Sequence, residues 1–570
     1  MDYDLVIKNG HIIDGTGNPW YKADIGIKDG HIAKLSGIPL KTAGRSIDAK
    51  GFVVCPGFIN VHSHSDVYIL GQNKAENCLM MGLVTEVTGQ CGASIAPMTE
   101  EYKEIVKSRK SVLNPDVGEI DWLTLDDWLK KLEKKGIGIN IAPLVGHGTI
   151  RTYVMGAEGD GGERVVPTRG EMREMKAILE DSMKEGAFGL STGLNYAPGR
   201  NALTKEVVEL MKVVVKYGGL YSSHMRCESD KLIEATQEFI EICETAEARG
   251  TISHHKASGW TNFGKIAETI RMVDRARAGG VNVIIDLYPW RIGGTTKSLG
   301  GRFKVSLSSN DSSKTPREEL VELLKDDSSW EKLKSAALES VRKEEDLYKV
   351  RKDGMEKNSG WTSTPYALQQ TGTILSSRKH PELNDKSFED VANFFGEKDV
   401  LDGIRVLLIA DEGSTVAGGE PYSEEDIIAI LKYPWSTIST DQFALDNSKV
   451  PYQKAVDDLS ILNPRGWGTY PKILGKYVRE EKVLTLEDAI RKMTSLPAQF
   501  LGLKDRGIMK EGFWADLVIF DPDKVKNNAT YGTSQVYPSG IPYVLVNGQV
   551  AVDKSKPTGA LAGKALRSII

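Results

Sequence analysis

Val61-His62-Ser63-His64-Ser65-Asp66 follows an apolar run interrupted by Pro56-Gly57. Residues two apart in a strand face the same side, so His62 and His64 can turn both imidazoles toward one metal ion. Taken alone, an H-x-H pair equally suits two polar residues at a strand end. The rest of the chain narrows the choice. Only 9 histidines occur, and His224 and His254 also stand at the ends of candidate strands, as does Cys91 in Gly89-Gln90-Cys91-Gly92. A thiolate and neutral imidazoles suit zinc, and Asp441, at the end of the last candidate strand, would add a carboxylate as ligand or proton carrier.

Groups so distant in sequence converge only if each occupies an equivalent point of a repeating architecture. Short apolar or small-residue runs do recur: Phe52 to Val61, Val84 to Gly89, Ile137 to Val145, Ala187 to Leu190, Gly219 to Ser222, Thr251 and Ile252, Val281 to Leu287, and Trp435 to Ser439. Amphipathic stretches separate several of them, among them Glu171 to Lys184, opened by a Thr168-x-x-Glu171 capping box, Glu206 to Lys216 and Lys231 to Ala248. Strand–helix alternation predicts an α/β fold with a parallel sheet, and eight such units predict closure into a (β/α)8, TIM-like barrel. All strand C-termini of such a barrel open on one face, which is where His62, His64, Cys91, His224, His254 and Asp441 would meet.

The chain ends follow a different grammar. Asp4 to Lys8, Ala23 to Lys28 and His31 to Leu35 read as short strands with turns at Asn9-Gly10, Asp14-Gly15 and Asp29-Gly30. Ala515 to Phe520 and Tyr543 to Gly548 repeat the pattern, so both termini are expected to build one small β-sandwich, from residues 1–55 and 501–570, around a catalytic barrel at 56–500. Residues 297–402 break the rhythm: this stretch is rich in Lys, Asp, Glu and Ser, with Trp330 and Trp361 as isolated anchors. It reads as an insertion or lid before the last barrel strand.

Composition excludes other classes. Lys+Arg 73 against Asp+Glu 78 leaves a formal charge of −5, with a pI near 6.1, so nothing marks a nucleic-acid partner. No run approaches the ~18 apolar residues of a membrane span. The amino terminus is acidic and alternating, unlike a signal peptide, and Cys55, Cys78, Cys91, Cys227 and Cys243 make an odd, scattered set. Reducing cytoplasm, a small-molecule substrate and no disulfide framework are the expectations, with a homo-oligomer left open.

Together, Pro56-Gly57-Phe58-Ile59-Asn60-Val61-His62-Ser63-His64, Gly89-Gln90-Cys91-Gly92, Ser222-Ser223-His224-Met225-Arg226, Ile252-Ser253-His254-His255-Lys256, Met493-Thr494-Ser495-Leu496-Pro497-Ala498 and Ala515-Asp516-Leu517-Val518 resemble the amidohydrolase superfamily. Within it the chain is similar to the D-aminoacylase (N-acyl-D-amino-acid deacylase) family, over nearly its whole length outside 297–402. The resemblance implies a zinc hydrolase of amide bonds. It implies one zinc tightly held by Cys91, His224 and His254, a second, weaker or vacant site at His62 and His64, and Asp441 as catalytic aspartate. It also implies that Arg465 binds the substrate carboxylate, with Tyr288 and Tyr196 as wall or hydrogen-bonding residues. Strand alternation turns His255 away from the metal.

Two positions depart from the family pattern: Thr440-Asp441-Gln442 replaces the usual Ser-Asp-Gly, and Asn463-Pro464-Arg465 the usual His-Pro-Arg. An extra arginine, Arg291, follows Tyr288-Pro289-Trp290. These changes bear on the substrate, not on the zinc ligands. Four rival readings make distinct demands. Gly189-Leu190-Ser191-Thr192-Gly193 fits a serine nucleophile elbow, but no helix follows directly and no late histidine completes a triad. Cys91 activated by His224 or His254 would be a thiol nucleophile. A cyclic-amide hydrolase of the dihydroorotase or hydantoinase kind often bridges two metals with a carbamylated lysine, and the fourth strand end, Gly193-Leu194-Asn195-Tyr196, has none. An inactive scaffold would have no need of the Cys/His/Asp set. His147, in Gly146-His147-Gly148, is expected near the pocket as a supporting residue.

Overall fold

Alternation of apolar residues makes Tyr3–Ile12, Tyr21–Lys28 and His31–Ser36 pair antiparallel. Asn9-Gly10, expected as a turn, is instead a bulge inside one strand. Asn9 takes φ 60° and its backbone N–H and side-chain amide reach Asp24 and Asp48, each at 2.9 Å, so the register shifts and the strand continues. At the other end, Leu517–Phe520 pairs antiparallel with Val53–Pro56 and carries Tyr543–Val546 and Gln549–Asp553 beyond it. Strands from both ends thus form one 9-stranded sheet over a shared core that includes Leu5, Ile7, Ile25, Leu517, Ile519 and Leu545. The computed structural model describes residues 2–40, 43–101, 103–104, 119–156, 166–195, 197–292, 297–298, 316–336, 338, 373–384, 386–418, 422–446, 463–531 and 533–568.

The expected first strand, Phe52 to Val61, divides at Gly57. Val53–Pro56 belongs to the terminal sheet, whereas Phe58–Asn60 opens a parallel one. A Cβ at Gly57 would lie 2.3 Å from Val84 Cγ2, so only glycine lets the chain pass from one sheet to the other here.

From Phe58–Asn60 the chain runs through Leu83–Thr88, Asn140–Pro143 with Val145–Gly146, Gly189–Gly193, Leu220–His224, Arg249–Ile252, Val283–Leu287 and Ser436–Ile438, each parallel to the one before. Two bonds join the last of these to the first: the Asp441 N–H donates to the His62 carbonyl at 3.0 Å and the His64 N–H to the Gln442 carbonyl at 2.9 Å. Helices Arg169–Lys184, Thr204–Lys216, Leu232–Ala246 and Ile266–Ala278 cover the strands with apolar faces. The Thr168/Glu171 capping box forms as the spacing predicts. Among the described residues no helix is long and apolar enough to cross a membrane.

Between Val283–Leu287 and Ser436–Ile438 the described residues build a separate small body. Lys297–Ser298, Thr373–Ser376 and Val416–Gly418 form an antiparallel sheet, and Trp330, Phe388, Ile404 and Leu408 pack in their own core. The expected limit at 402 falls inside helix Val400–Ala410, whose Leu401, Ile404, Leu407 and Leu408 face that core. Charge-rich composition fades before the packed unit ends. Trp361 lies outside the described residues.

A buried polar network fastens the terminal sheet to the parallel strands. Asp516 pairs with Arg506 and accepts from the Asn547 N–H at 2.6 Å, while Asn547 Nδ2 donates to Asn140 Oδ1 at 2.8 Å. Removing one member strands a buried guanidinium, so Asp516→Ala is expected to destabilise the protein by about 3–5 kcal/mol. A thermal melt of this variant that overlays the parent would contradict the assignment.

Candidate metal centre and active site

Cys91 follows the strand Leu83–Thr88 through a loop that backbone sterics enforce. A Cβ at Gly89 would sit 2.1 Å from the Leu144 carbonyl oxygen, and one at Gly92 2.6 Å from the Gly193 nitrogen, so glycine is required on both sides of the thiol. Ser191 completes the support: its hydroxyl donates to the Gly89 carbonyl at 2.5 Å and accepts from the Gly92 N–H at 3.0 Å. Ser191 therefore sits mid-strand as a brace for the Cys91 loop, not at a nucleophile elbow.

Three imidazoles surround the thiol. Cys91 Sγ lies 3.3 Å from His62 Nε2, 3.4 Å from His254 Nε2 and 3.9 Å from His224 Nδ1. His64 joins from the other side with its Nε2 3.2 Å from Asp441 Oδ1, and His62 Nε2 is 3.6 Å from the same oxygen. Donor atoms of His62, His64 and Cys91, of Cys91, His224 and His254, and of His62, His254 and Asp441 each fall within 4.8 Å of one another. Zinc bonds of about 2.3 Å to sulfur and 2.1 Å to nitrogen in tetrahedral array put ligand atoms about 3.6 Å apart. The donor set and its spacing therefore fit zinc.

Burial opposes charge on every member, yet mutual attraction wins. Burial pushes the Cys91 thiol up, but the imidazolium charges of His62 and His254 hold it well below its usual range. Burial and Lys256 push His254 down, while Glu228 and Cys91 outweigh them and raise it to about 10. Against its burial, Asp441 is held far below the carboxylate range by Arg465 first and then by the hydrogen bond to His64. A deprotonated thiol and carboxylate are what a cation requires.

Residues that sequence reasoning missed form the outer layer. Glu228 reaches His224 Nε2 at 3.3 Å and His254 Nδ1 at 3.1 Å, and Lys256 Nζ reaches Glu228 at 2.6 Å and His254 Nδ1 at 2.8 Å. Asp286 accepts the His254 N–H at 2.9 Å and the Ser439 hydroxyl at 2.5 Å. An acid inside the apolar run Val283–Leu287 was the available signal for Asp286. Charged neighbours of His224 and His254 were the signal for Glu228 and Lys256.

Arg465 is buried and pairs through Nη1 with Asp441 Oδ2 at 2.8 Å, its guanidinium 4.2 Å from the Tyr288 ring centroid. Its buried Nε has no hydrogen-bond partner among the described residues. The Tyr288 hydroxyl lies 3.3 Å from that of Tyr422. Tyr196 lies outside the described residues. Neither sequence departure displaces this machinery: Gln442 supplies its backbone carbonyl to His64, and Asn463 Oδ1 accepts the Arg465 N–H at 3.0 Å, fixing the helix that presents Arg465. Arg291 is exposed and its Nε donates to the Tyr422 carbonyl at 3.3 Å. His147, expected near the pocket, is spent elsewhere. Its Nε2 bonds Glu206 at 2.8 Å beside Arg151 in a buried triad, because the chain turns into helix His147–Met155 at that residue.

A mixed α/β fold with a Cys/His/Asp cluster gathered at the ends of parallel strands defines a metal-dependent amidohydrolase. Residues 462–552 match the model of the Amidohydrolase family. The chain is 31% identical to an N-acyl-D-glutamate deacylase of Alcaligenes xylosoxydans xylosoxydans, over 99% of this chain and 96% of the relative. It is 29% identical to a D-aminoacylase of the same organism, over 99% and 97%. Among solved structures, N-acyl-D-glutamate deacylase from Bordetella bronchiseptica, complexed with zinc and a phosphonate inhibitor, superposes with a TM-score of 0.73 at 28% identity, covering 100% of both chains. The protein belongs to the D-aminoacylase, or N-acyl-D-amino-acid deacylase, family of amidohydrolases.

Two expectations follow. Chelator-stripped protein should be alkylated by iodoacetamide at Cys91, and zinc should protect it, whereas Cys55, Cys78 and Cys243, raised by burial, stay unlabelled. Peptide mapping that finds equal Cys91 labelling with and without zinc would argue for a free thiol. His255 turns away to Thr269 at 2.7 Å, and burial pushes it down to about 3. Its unfolded-state value of about 6.5 is higher, so its contribution is complete above that pH and is lost as pH falls toward 3, at up to about 1.4 kcal/mol per unit. Urea midpoints of metal-stripped His255→Gln should therefore fall less steeply than those of the parent between those limits; parallel curves would exclude the assignment.

Proposed function

We propose that this protein is a zinc-dependent hydrolase of N-acyl-D-amino acids, built as a (β/α)8 barrel (56–500) with a terminal β-sandwich (1–55 and 501–570) and an insertion before the last barrel strand. The observation that carries the reading is that Asp441 touches the histidine cluster with one oxygen and Arg465 with the other, at 3.2 and 2.8 Å. A proton carrier thus lies between metal ligands and a carboxylate receptor.

Cys91, His224 and His254 would hold a tightly bound zinc, and His62 and His64 would offer a second, weaker site. Zinc lowers the pKa of a bound water to about 7 and polarises the amide carbonyl. Asp441 Oδ1 takes the water proton and delivers it to the nitrogen of the leaving amine. Arg465, its guanidinium 4.2 Å from the Tyr288 ring centroid, would receive the α-carboxylate, and its buried Nε, without a hydrogen-bond partner among the described residues, favours such a ligand. Fixing the carboxylate on this side orients the Cα substituents, which is the basis for discriminating enantiomers. Two solved or curated relatives named above act on N-acyl-D-glutamate, and the acidic D-amino acids are the first substrates to try.

Zinc-loaded protein should release amine from paired N-acyl-D- and N-acyl-L-amino acids with a D preference of roughly 10²-fold or more. Asp441→Asn should lower kcat by about 10²–10⁴-fold. Hydrolysis of L substrates alone, or ring opening of hydantoins with no deacylation, would overturn the assignment.

A further inference from the structure

His62, Cys91, His224 and His254 come from four separate stretches of chain, so a metal centre built from them needs ties between those stretches. Pairing of adjacent strands supplies only part of this. The strand Leu83–Thr88, which leads to Cys91, does not neighbour Leu220–His224, because Asn140–Pro143 with Val145–Gly146 and then Gly189–Gly193 lie between them.

The side chain of Gln90 crosses that gap. Its Nε2 donates to the Val61 carbonyl at 2.7 Å, and its Oε1 accepts the Ser222 hydroxyl at 2.7 Å. Ser222 Oγ also lies 2.9 Å from Ser253 Oγ, and with its single proton committed to Gln90 it must accept the proton of Ser253. All three side chains are buried. A flipped amide would set Oε1 against the Val61 carbonyl, acceptor facing acceptor, so one orientation holds. Val61 precedes His62, Gln90 precedes Cys91, Ser253 precedes His254, and Ser222 stands two before His224 on the same side of its strand. One chain of hydrogen bonds therefore joins all four segments within two residues of the thiol and the three imidazoles.

We propose that Gln90 is a positioning residue of the metal centre, whose carboxamide sets the distances from Cys91 Sγ to His62, His254 and His224, at 3.3, 3.4 and 3.9 Å. The proposal rests on the zinc hydrolase reading above and adds the residue that holds its ligands in register. Ser191 braces the Cys91 turn through Gly89 and Gly92, whereas Gln90 places that turn relative to the histidine strands. The amide is required on both sides: a carboxylate loses the donor to Val61, and a methionine of similar length loses both bonds.

The test titrates the metal-stripped parent, Gln90→Met, Ser222→Ala and Thr437→Val with Zn2+ against a chromophoric chelator, and with Co2+ while reading the thiolate-to-cobalt charge-transfer band. Thr437 is the control, an equally buried hydroxyl that donates to the Lys492 carbonyl at 2.7 Å. Gln90→Met should weaken zinc binding by about 10- to 100-fold, the range for losing a partner behind a metal ligand, and should shift or weaken the cobalt band. Ser222→Ala should move both readouts the same way by less, and it decides the matter if Gln90→Met does not fold. Thr437→Val should match the parent. Parent-like affinity and band in both Gln90→Met and Ser222→Ala, or an equal loss in Thr437→Val, would overturn the positioning role while leaving the deacylase reading intact. A parent that binds neither metal would overturn both.

Discussion

Two backbone hydrogen bonds carry much of this molecule. The Asp441 N–H to the His62 carbonyl and the His64 N–H to the Gln442 carbonyl, at 3.0 and 2.9 Å, tie strands that are more than three hundred residues apart in the chain. They pair the H-x-H segment with the segment bearing the aspartate, so the link between first and last strands and the meeting of His62, His64 and Asp441 are one event. Asn60 reinforces it from beneath, its Oδ1 accepting the Thr440 N–H at 3.1 Å and its Nδ2 donating to Thr440 Oγ1 at 2.8 Å. Stability and chemistry are therefore not separable at this edge, and a substitution that loosens it moves reactive groups as well as strands.

A cluster so buried raises a second constraint, because ionised groups out of water need partners. The layer behind the cluster supplies them in alternating sign. Glu228 faces His224 and His254, Lys256 faces Glu228, and Arg465 faces Asp441. Each acid is pulled far below its ordinary range by the neighbouring cations despite its burial. This layer also fixes which imidazole nitrogen looks inward: Glu228 and Lys256 occupy His254 Nδ1, which leaves Nε2 for Cys91.

Much of this was legible in the sequence, and what was not has physical causes. Strand-end histidines and Cys91 stood out because polar residues closing apolar runs have few other uses, and the strand-turn grammar of the two ends was strong enough to join them. The strand boundary at Gly57 was hidden because Pro56-Gly57 leaves hydrophobicity unbroken on both sides, and only the clash with Val84 reveals the change of sheet. Asn9-Gly10 looks identical whether it reverses the chain or merely bulges; Asp24 and Asp48, distant in sequence, decide it. His147 resembled the clustered histidines in type and position, and its helix-side partner Glu206 lies 59 residues on. Local pattern shows which residues are suited to chemistry, while long-range partners determine which are available for it.

Backbone conformation at the site makes the same point from the other direction. Cys91, His254 and Asp441 all have positive φ, at 56°, 36° and 49°, a region that costs a non-glycine residue about 1–3 kcal/mol and persists only where surroundings over-determine it. In each case a neighbouring N–H is captured: that of Gly92 by Ser191, that of His254 by Asp286, and that of Asp441 by His62. Two of these captors, Ser191 and Asp286, are fully buried polar residues inside otherwise apolar or small-residue strands. Ser191 and Asp286 restrain the strained Cys91 loop and His254, and the His62 carbonyl restrains Asp441, so each side chain leaves the regular path of its strand and is steered to the common centre. Asp286 and Ser191 thus help shape the histidine–thiol cluster from behind, and the cost of their burial is offset by the geometry they impose.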